Sequence, residues 1–309
     1  MMTALELHLR QALQPWLTAP AWRIAFSGGL DSSVLLHLLA DWARHEDLPP
    51  LSAIHVHHGL QPAGDAWPVH CARVCEQLGM ALEVVRVQVA PGASLEQAAR
   101  SARYQAFCER LKPGEVLLSA QHRDDQAETL LFRLLRGAGV RGLAAMPASR
   151  PLGRGGLFRP LLDSSRAELR EYAQSHGLAW IEDPSNADER FSRNFLRRRV
   201  LPLLAERWPQ VTANIARSAR YLGEAQQLLG ELAEMDLATV HGVSACPWLT
   251  LPSLELSAVS ALSDARQRNL LRYWLAPLTR LPDSDHWAGW CDLRDAATDA
   301  APIWKLTDG

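Results

Sequence analysis

The chain has 309 residues, enough for two domains, because single cores stop growing near ~250–300 residues. It is 48% hydrophobic and 21% charged with a net charge of −2, the composition of a soluble globular protein. Any nucleic-acid-binding surface must therefore be local. The cysteines Cys71, Cys75, Cys108, Cys246 and Cys291 include no Cys-x-x-Cys pair, so a zinc ribbon or a dithiol redox centre is unsupported and a reducing compartment fits best. Met1–Pro20 lacks the apolar core of a signal peptide, and no apolar stretch nears the ~20 residues of a membrane span. A cytoplasmic location with no membrane partner is expected.

In chain order, short apolar runs alternate with longer amphipathic ones over the first ~150 residues, the pattern of a parallel α/β sheet. Trp22–Phe26 reads as a buried strand, followed by a glycine loop and a helix over Leu30–Arg44. Ser52–His57 and Leu82–Val89 are the next strands, with helices over Asp65–Leu78 and Leu95–Leu111. Val116–Ala120 is a fourth strand, leading into a helix over Asp124–Arg136. Right-handed crossovers then give an open, mostly parallel twisted sheet with helices on both faces.

Gly137–Gly156, rich in Gly, Pro and Arg, reads as a mobile loop. Ser165 and Glu168 form a capping box that opens a short helix, and Asp183-Pro-Ser-Asn186 is a turn. From Val211 onward only helical periodicity remains: one long helix, then helices over Asp264–Leu275 and Asp285–Ala297. The expected domains are residues 1–209, α/β and catalytic, and 210–309, all-helical. Pro302–Leu306 resembles the start of a strand without a partner, as in a fragment or a natural short form of a longer protein.

Ser27-Gly28-Gly29-Leu30-Asp31-Ser32-Ser33 joins the first strand to its helix. Two glycines let backbone N–H groups approach an anion, and the helix start adds partial positive charge. The serine hydroxyls can donate to phosphate oxygens, and Asp31 can hold Mg²⁺ bridging them. The Gly-Lys-Ser/Thr ending of a Walker loop is absent. His55-Val-His-His58-Gly59-Leu60 ends the second strand, and Gln121-His122-Arg123-Asp124-Asp125-Gln-Ala-Glu128-Thr129 follows the fourth. All three segments converge on the carboxyl ends of parallel strands, where such sheets bind ligands. Asp125 and Glu128 share a helix face. Two carboxylates there suit Mg²⁺ or an ammonium group, although an acidic helix start alone also stabilises the helix dipole by ~0.3–1 kcal/mol.

The Ser-Gly-Gly-x-Asp-Ser loop resembles that of the N-type ATP pyrophosphatases, the PP-loop superfamily with its adenine nucleotide alpha hydrolase-like fold. More specifically, His-x-His-His-Gly-Leu, His-x-Asp-Asp-Gln-x-Glu-Thr and Arg133-Leu-Leu-Arg136-Gly-x-Gly together resemble the tRNA(Ile)-lysidine synthetases. So do Arg100-x-x-Arg103-Tyr104, Arg159-Pro-Leu-Leu162, Asp183-Pro-Ser-Asn186-x-Asp188 and Arg193-Asn194-x-x-Arg197, in order from Ile24 to Leu204.

The resemblance implies a ligase that uses ATP and Mg²⁺, with a tRNA(Ile) bearing a CAU anticodon and free L-lysine as substrates. It implies adenylation of the wobble cytidine and its conversion to lysidine. Asp31, Asp125, Glu128 and Arg193 are the expected catalytic residues, with Asp31 also on the metal. Ser27, Gly28, Gly29, Leu30, Asp31, Ser32, Ser33, His55 and His58 are expected at the nucleotide. Arg100, Arg103, His122, Asp124, Arg133, Arg136, Asn194 and Arg197 are expected at the other substrates. The arginine run from Arg190 to Arg220 reads either as a solvated helix face or as a phosphate-tracking surface.

The rival readings are a tRNA thiolation enzyme, which the missing cysteine pair disfavours, an amide-forming synthetase on a small metabolite, and a non-catalytic tRNA-binding relative. Oligomeric state is open, a homodimer included.

Overall fold

The computed structural model describes residues 2–59, 62–89, 95–242, 252–279, 287–297, 300 and 302–304. They fall into two compact units, residues 1–221 and 222–309. The division lies inside a long helix, α10 below, which begins just after the boundary expected near Pro209.

The first unit opens with α1 (Ala4–Leu13), whose N-cap Thr3 and Glu6 form a capping box. The strand β1 (Trp22–Ala25) leads through the glycine loop into α2 (Leu30–Ala43). Then come β2 (Leu51–His57), a 3₁₀ turn at Pro62–Ala66 and α3 (Trp67–Gln77), so the helix expected from Asp65 begins two residues later. After these lie β3 (Ala81–Arg86), α4 (Leu95–Arg110), β4 (Val116–Leu118), α5 (Arg123–Leu134) and α6 (Val140–Leu143).

The segment expected to be a loop, Gly137–Gly156, is instead largely structured. After α6 it contributes β5 (Ser149–Leu152) and enters β6 (Gly155–Phe158), an antiparallel hairpin turning at Gly153 with φ +57°. The reason it escapes a hydrophobicity reading is chemical. Ser149-Arg150-Pro151 has no apolar alternation, and Pro151 is tolerated because β5 is the edge strand. At Gly153, a Cβ would lie 2.8 Å from the Cys108 carbonyl oxygen, so the turn needs glycine for space as well as for its φ.

The sheet has six strands in the order β3-β2-β1-β4-β6-β5, all parallel except β5. Alternation along the strands sorts side chains to two cores. Trp22, Ile24, Val116, Leu118 and Phe158 pack with Leu9, Leu13, Leu35, Leu39, Cys71 and Leu169, from α1, α2, α3 and α7 (Arg166–Ser175). Ile54, Val85, Leu117 and Leu157 pack on the other face with Ala106, Phe107 and Leu111 of α4 and its end. Each apolar side chain fully buried this way contributes roughly 1.5–3 kcal/mol.

The order in which strands are added reverses at β1, which lies between β2 and β4. The loops after β1 and β4 therefore open side by side at a switch point. The unit continues with α8 (Ser192–Phe195), a π-helical turn over Leu196–Val200, α9 (Leu201–Arg207) and the start of α10 (Val211–Thr239).

The second unit holds the rest of α10, α11 (Leu256–Ser260), α12 (Asp264–Leu275) and α13 (Trp287–Arg294). Its core is Val240, Val259, Leu270, Leu271 and Trp290, with Trp274, Trp287 and Trp304 packed against it. These tryptophans are helix-packing residues; Trp248 lies outside the described residues. Of the strand expected at Pro302–Leu306, Pro302–Trp304 form no strand and the remainder lies outside the described residues. None of the described helices is long and apolar enough to cross a membrane.

Candidate active site

The phosphate loop takes its shape from its own serines. Ser27 Oγ lies 3.0 Å from Ser32 Oγ, Ser32 Oγ donates to the Gly29 carbonyl at 3.0 Å, and the Gly29 N–H donates to Ser27 Oγ at 3.3 Å. Gly28 sits at φ +82°, and a Cβ there would come within 3.1 Å of both Cys71 Sγ and Ile181 Cδ1. Its carbonyl accepts the Ile181 N–H at 2.8 Å. Gly29 is the N-cap of α2, so the first-turn N–H groups of Leu30, Asp31 and Ser32 face the loop mouth without helical acceptors. Leu30 is buried in the core, which leaves its backbone alone to meet a ligand.

Asp31 links this loop to the segment after β4. Its Oδ2 lies 3.6 Å from His122 Nε2, while its buried Oδ1 has no hydrogen-bond partner. His122, 1% exposed, also lies 3.5 Å from Asp125 Oδ2 and 3.7 Å from Asp124 Oδ2. Burial opposes its charge, yet Asp125, Asp31 and Asp124 outweigh that and raise its pKa. Asp31 is lowered although burial opposes its charge too, chiefly through His122. An orphaned carboxylate oxygen at a phosphate loop fits a divalent cation that takes its remaining ligands from nucleotide phosphates and water. Among the described residues no cluster of three or more His, Cys, Asp or Glu is arranged as a protein-only metal cage.

Asp125 and Glu128 meet the basic segment. Arg197 forks onto Glu128, Nε to Oε1 at 2.6 Å and Nη2 to Oε2 at 2.9 Å, and Nη2 also reaches Asp125 Oδ1 at 3.1 Å. Burial raises Glu128 and Arg197 partly offsets it; burial works against the Arg197 charge, but Glu128 and Asp125 hold it above its usual value. Arg193, one turn earlier, donates to Thr129 Oγ1 at 3.0 Å. Asn194 points the other way, donating to the Ser185 and Asp188 carbonyls at 2.8 Å each, which docks the Asp183 turn. Within the run, Arg190 pairs with Asp188, and Arg198 and Arg199 pair with Glu189.

The remaining expected residues divide. His55, 2% exposed, bonds the Phe26 carbonyl through Nδ1 at 2.9 Å and leaves Nε2 buried without a partner beside the loop. His58 is lowered by burial and by Arg103, which places that arginine at the end of β2. After burial, Arg193 and Arg100 both disfavour the charge on Arg133. Arg133 itself is committed to structure, donating to the Gly142 and Ala145 carbonyls at 2.8 Å each, where Ala145 has φ 52°. Arg136 lies over the Phe132 ring. Asp124 accepts the Arg166 N–H at 2.9 Å and ties α5 to the start of α7.

Two features go beyond the sequence expectation. Thr129 was only a motif letter but is the partner of Arg193. Ile181 carried no signal and closes the phosphate loop through a backbone bond that no side-chain pattern encodes.

The PP-loop domain model matches residues 1–204, and the TilS substrate binding domain model matches 254–309. The chain is 66% identical over 305 residues to tRNA(Ile)-lysidine synthase of Pseudomonas syringae pv. tomato, covering 99% of this chain and 68% of that one. It is 65% identical over 308 residues to the enzyme of Pseudomonas aeruginosa, covering 99% and 70%. Among solved structures, the U34-tRNA thiolase NcsA from Methanococcus maripaludis shares the fold, with a TM-score of 0.58 and 19% identity over 71% of this chain and 78% of that one. With an intact phosphate loop and both carboxylate segments in place, the chain belongs to the tRNA(Ile)-lysidine synthase family.

Proposed function

We propose that this protein is an ATP-using tRNA-modifying ligase that joins free lysine to C2 of the wobble cytidine of a tRNA(Ile) with a CAU anticodon. The observation that carries this reading is the juxtaposition, through His122, of Asp31 at the phosphate loop with the Asp125–Glu128 pair held by Arg197. One end of that cluster suits a nucleotide and the other an amine.

C2–O2 of cytosine is urea-like and its oxygen a poor leaving group. Attack of O2 on the α-phosphorus of ATP makes it a phosphate ester and releases pyrophosphate. The ε-amine of lysine then adds to C2, loses a proton, and AMP departs with the oxygen. The resulting lysidine pairs with A instead of G, changing decoding from AUG to AUA.

The loop N–H groups and Ser27, Ser32 and Ser33 bind the phosphates, with His55 and His58 alongside the nucleotide. Asp31 would hold Mg²⁺, which would offset phosphate charge. Free lysine has a pKa of ~10.4, so its ammonium must be both bound and deprotonated. Asp125 and Glu128 attract it, while the fixed Arg197 charge beside them favours the neutral amine. Arg193, Arg100 and Arg103 face the charged parts of the RNA and the nucleotide. His122 is too buried to touch a substrate and acts by holding the three aspartates in place.

A cytoplasmic location suits these substrates. The helical remainder is the tRNA-contacting part, a reading supported by the match of residues 254–309 to the TilS substrate binding domain.

The test is incorporation of labelled lysine into tRNA(Ile) with ATP and Mg²⁺, against a methionine tRNA and against Asp125→Asn. Label in the isoleucine tRNA only, lost in the variant, is expected. Pyrophosphate release without label would instead point to thiolation chemistry, and neither product would point to a non-catalytic relative.

A further inference from the structure

Tyr104 on α4 stands at the centre of a cationic cluster. The guanidinium carbon of Arg100 lies 5.0 Å from its ring centroid and that of Arg150 4.9 Å. A third guanidinium, Arg159, acts electrostatically on the phenol. Arg100 is on α4, Arg150 on β5 and Arg159 directly after β6. In register Arg150 faces Leu157, and Arg159 follows Phe158, where parallel β6 ends. The cluster therefore stands at the same end of the sheet as the phosphate loop. Arg100 extends it toward Arg133 and Arg193.

Cations assembled this closely repel one another unless an anion joins them. Among the described residues, the arginine–carboxylate pairs near the site involve Arg123, Arg190, Arg197, Arg198 and Arg199 and none of these three. Arg159 is 4% exposed; its Nη1 donates to the neutral Pro147 carbonyl at 2.6 Å and its Nε has no partner. A buried guanidinium without an acid is rare and costly. The local field can be read at the phenol: burial raises its pKa, yet Arg100, Arg159 and Arg150 bring it below the ordinary value. A place that acidifies a phenol also stabilises an incoming oxyanion.

We propose that Arg100, Arg150 and Arg159, gathered on Tyr104, bind a backbone phosphate of the RNA substrate beside the adenylation crevice. The proposal rests on the tRNA-modifying reading above. Such a contact fixes the register of the RNA rather than its sequence, holding the strand while one base enters the crevice. It also gives the β5–β6 hairpin a purpose, since that hairpin delivers two of the three cations.

The test is equilibrium binding of the protein to tRNA(Ile) across a salt series, with ATP affinity measured separately. Arg150→Gln and Arg100→Gln, on different elements, are each expected to lower the slope of log affinity against log salt by about 1. Arg150→Gln should keep wild-type ATP affinity, and both variants should keep the wild-type melting temperature. Arg154→Gln, at the exposed tip of the same hairpin, is the charge-matched control and should retain the wild-type slope. Tyr104→Phe keeps the ring but removes the phenol oxygen on which Arg159 acts, and should weaken tRNA binding without changing ATP binding. Unchanged slopes in both cluster variants would overturn the proposal. So would a loss of ATP affinity with the slope intact, which would make the cluster a nucleotide phosphate site. If wild type binds tRNA but makes no lysidine, the catalytic reading falls while the slopes still decide this site.

Discussion

Arg197 and Glu128, 69 residues apart in sequence, meet in a two-bond fork at 2.6 and 2.9 Å, with Glu128 1% exposed. The fork sets the spacing of the carboxylates proposed to receive lysine, since the same guanidinium holds Asp125. Arg197→Ala leaves a buried carboxylate without its partner, a loss of about 3–5 kcal/mol in stability. Arg197→Lys keeps the charge but cannot fork. Thermal melting should rank wild type above Arg197→Lys above Arg197→Ala, and in the lysine variant KM for lysine should rise more than KM for ATP. Equal rises would detach Arg197 from the amine site.

Gly28 is the position of the phosphate loop least tolerant of a side chain. Gly28→Ala places a non-glycine residue at φ +82°, a strain of roughly 1–2 kcal/mol, and presses a methyl against Cys71 and Ile181. A strain of that size spent on reshaping the loop corresponds to about tenfold in ATP affinity. Titration with a fluorescent ATP analogue measures it, and wild-type affinity would show that the loop relaxes freely.

The burial of His37 beside His176 makes stability depend on pH on the acid side. Its Nδ1 lies 2.9 Å from Tyr172 Oη. Burial, then the neighbouring His176, lowers the His37 pKa. A depressed folded-state value means this contribution is present above the ordinary histidine pKa of ~6.5 and fades as pH falls through the lower folded value. The melting temperature should therefore drop on acidification below about pH 6.5, and His37→Gln should flatten that part of the curve.

Thiol reactivity should divide the cysteines by burial. Burial pushes Cys71 up to about 12, with Cys75 adding to it, and burial pushes Cys75 up to about 11. Both are inert as nucleophiles at neutral pH, whereas Cys291 is exposed. Alkylation at pH 8 followed by mass mapping should label Cys291 in the native protein, and Cys71 and Cys75 only after denaturation. Native labelling of Cys71 would mean that α3 lifts from the phosphate loop.

The four strands from β1 to β4 were legible because each is a short apolar run closed by turn residues, and the phosphate loop because its glycines and Asp31 form a contiguous motif. The β5–β6 hairpin was hidden, because an edge strand written Ser-Arg-Pro-Leu has neither alternation nor an unbroken apolar run. The arginine run looked uniform in sequence, yet it contains surface pairs, the active-site fork of Arg197 and the Thr129 contact of Arg193. Long-range pairing separated these roles, and spacing along the chain does not encode it. His122 shows the converse: its motif marked it as important, but only the fold reveals it buried among Asp31, Asp124 and Asp125.

The bond from the Ile181 N–H to the Gly28 carbonyl has a temporal meaning during synthesis. Chains emerge N-terminus first, so a nascent polypeptide ending at Gly139 already carries the whole Ser-Gly-Gly-Leu-Asp-Ser segment and the first four strands. It still lacks Ile181, which seals the loop, and Arg197, which sets the carboxylates. The order of synthesis thus supplies the phosphate-loop sequence well before the residues that brace it.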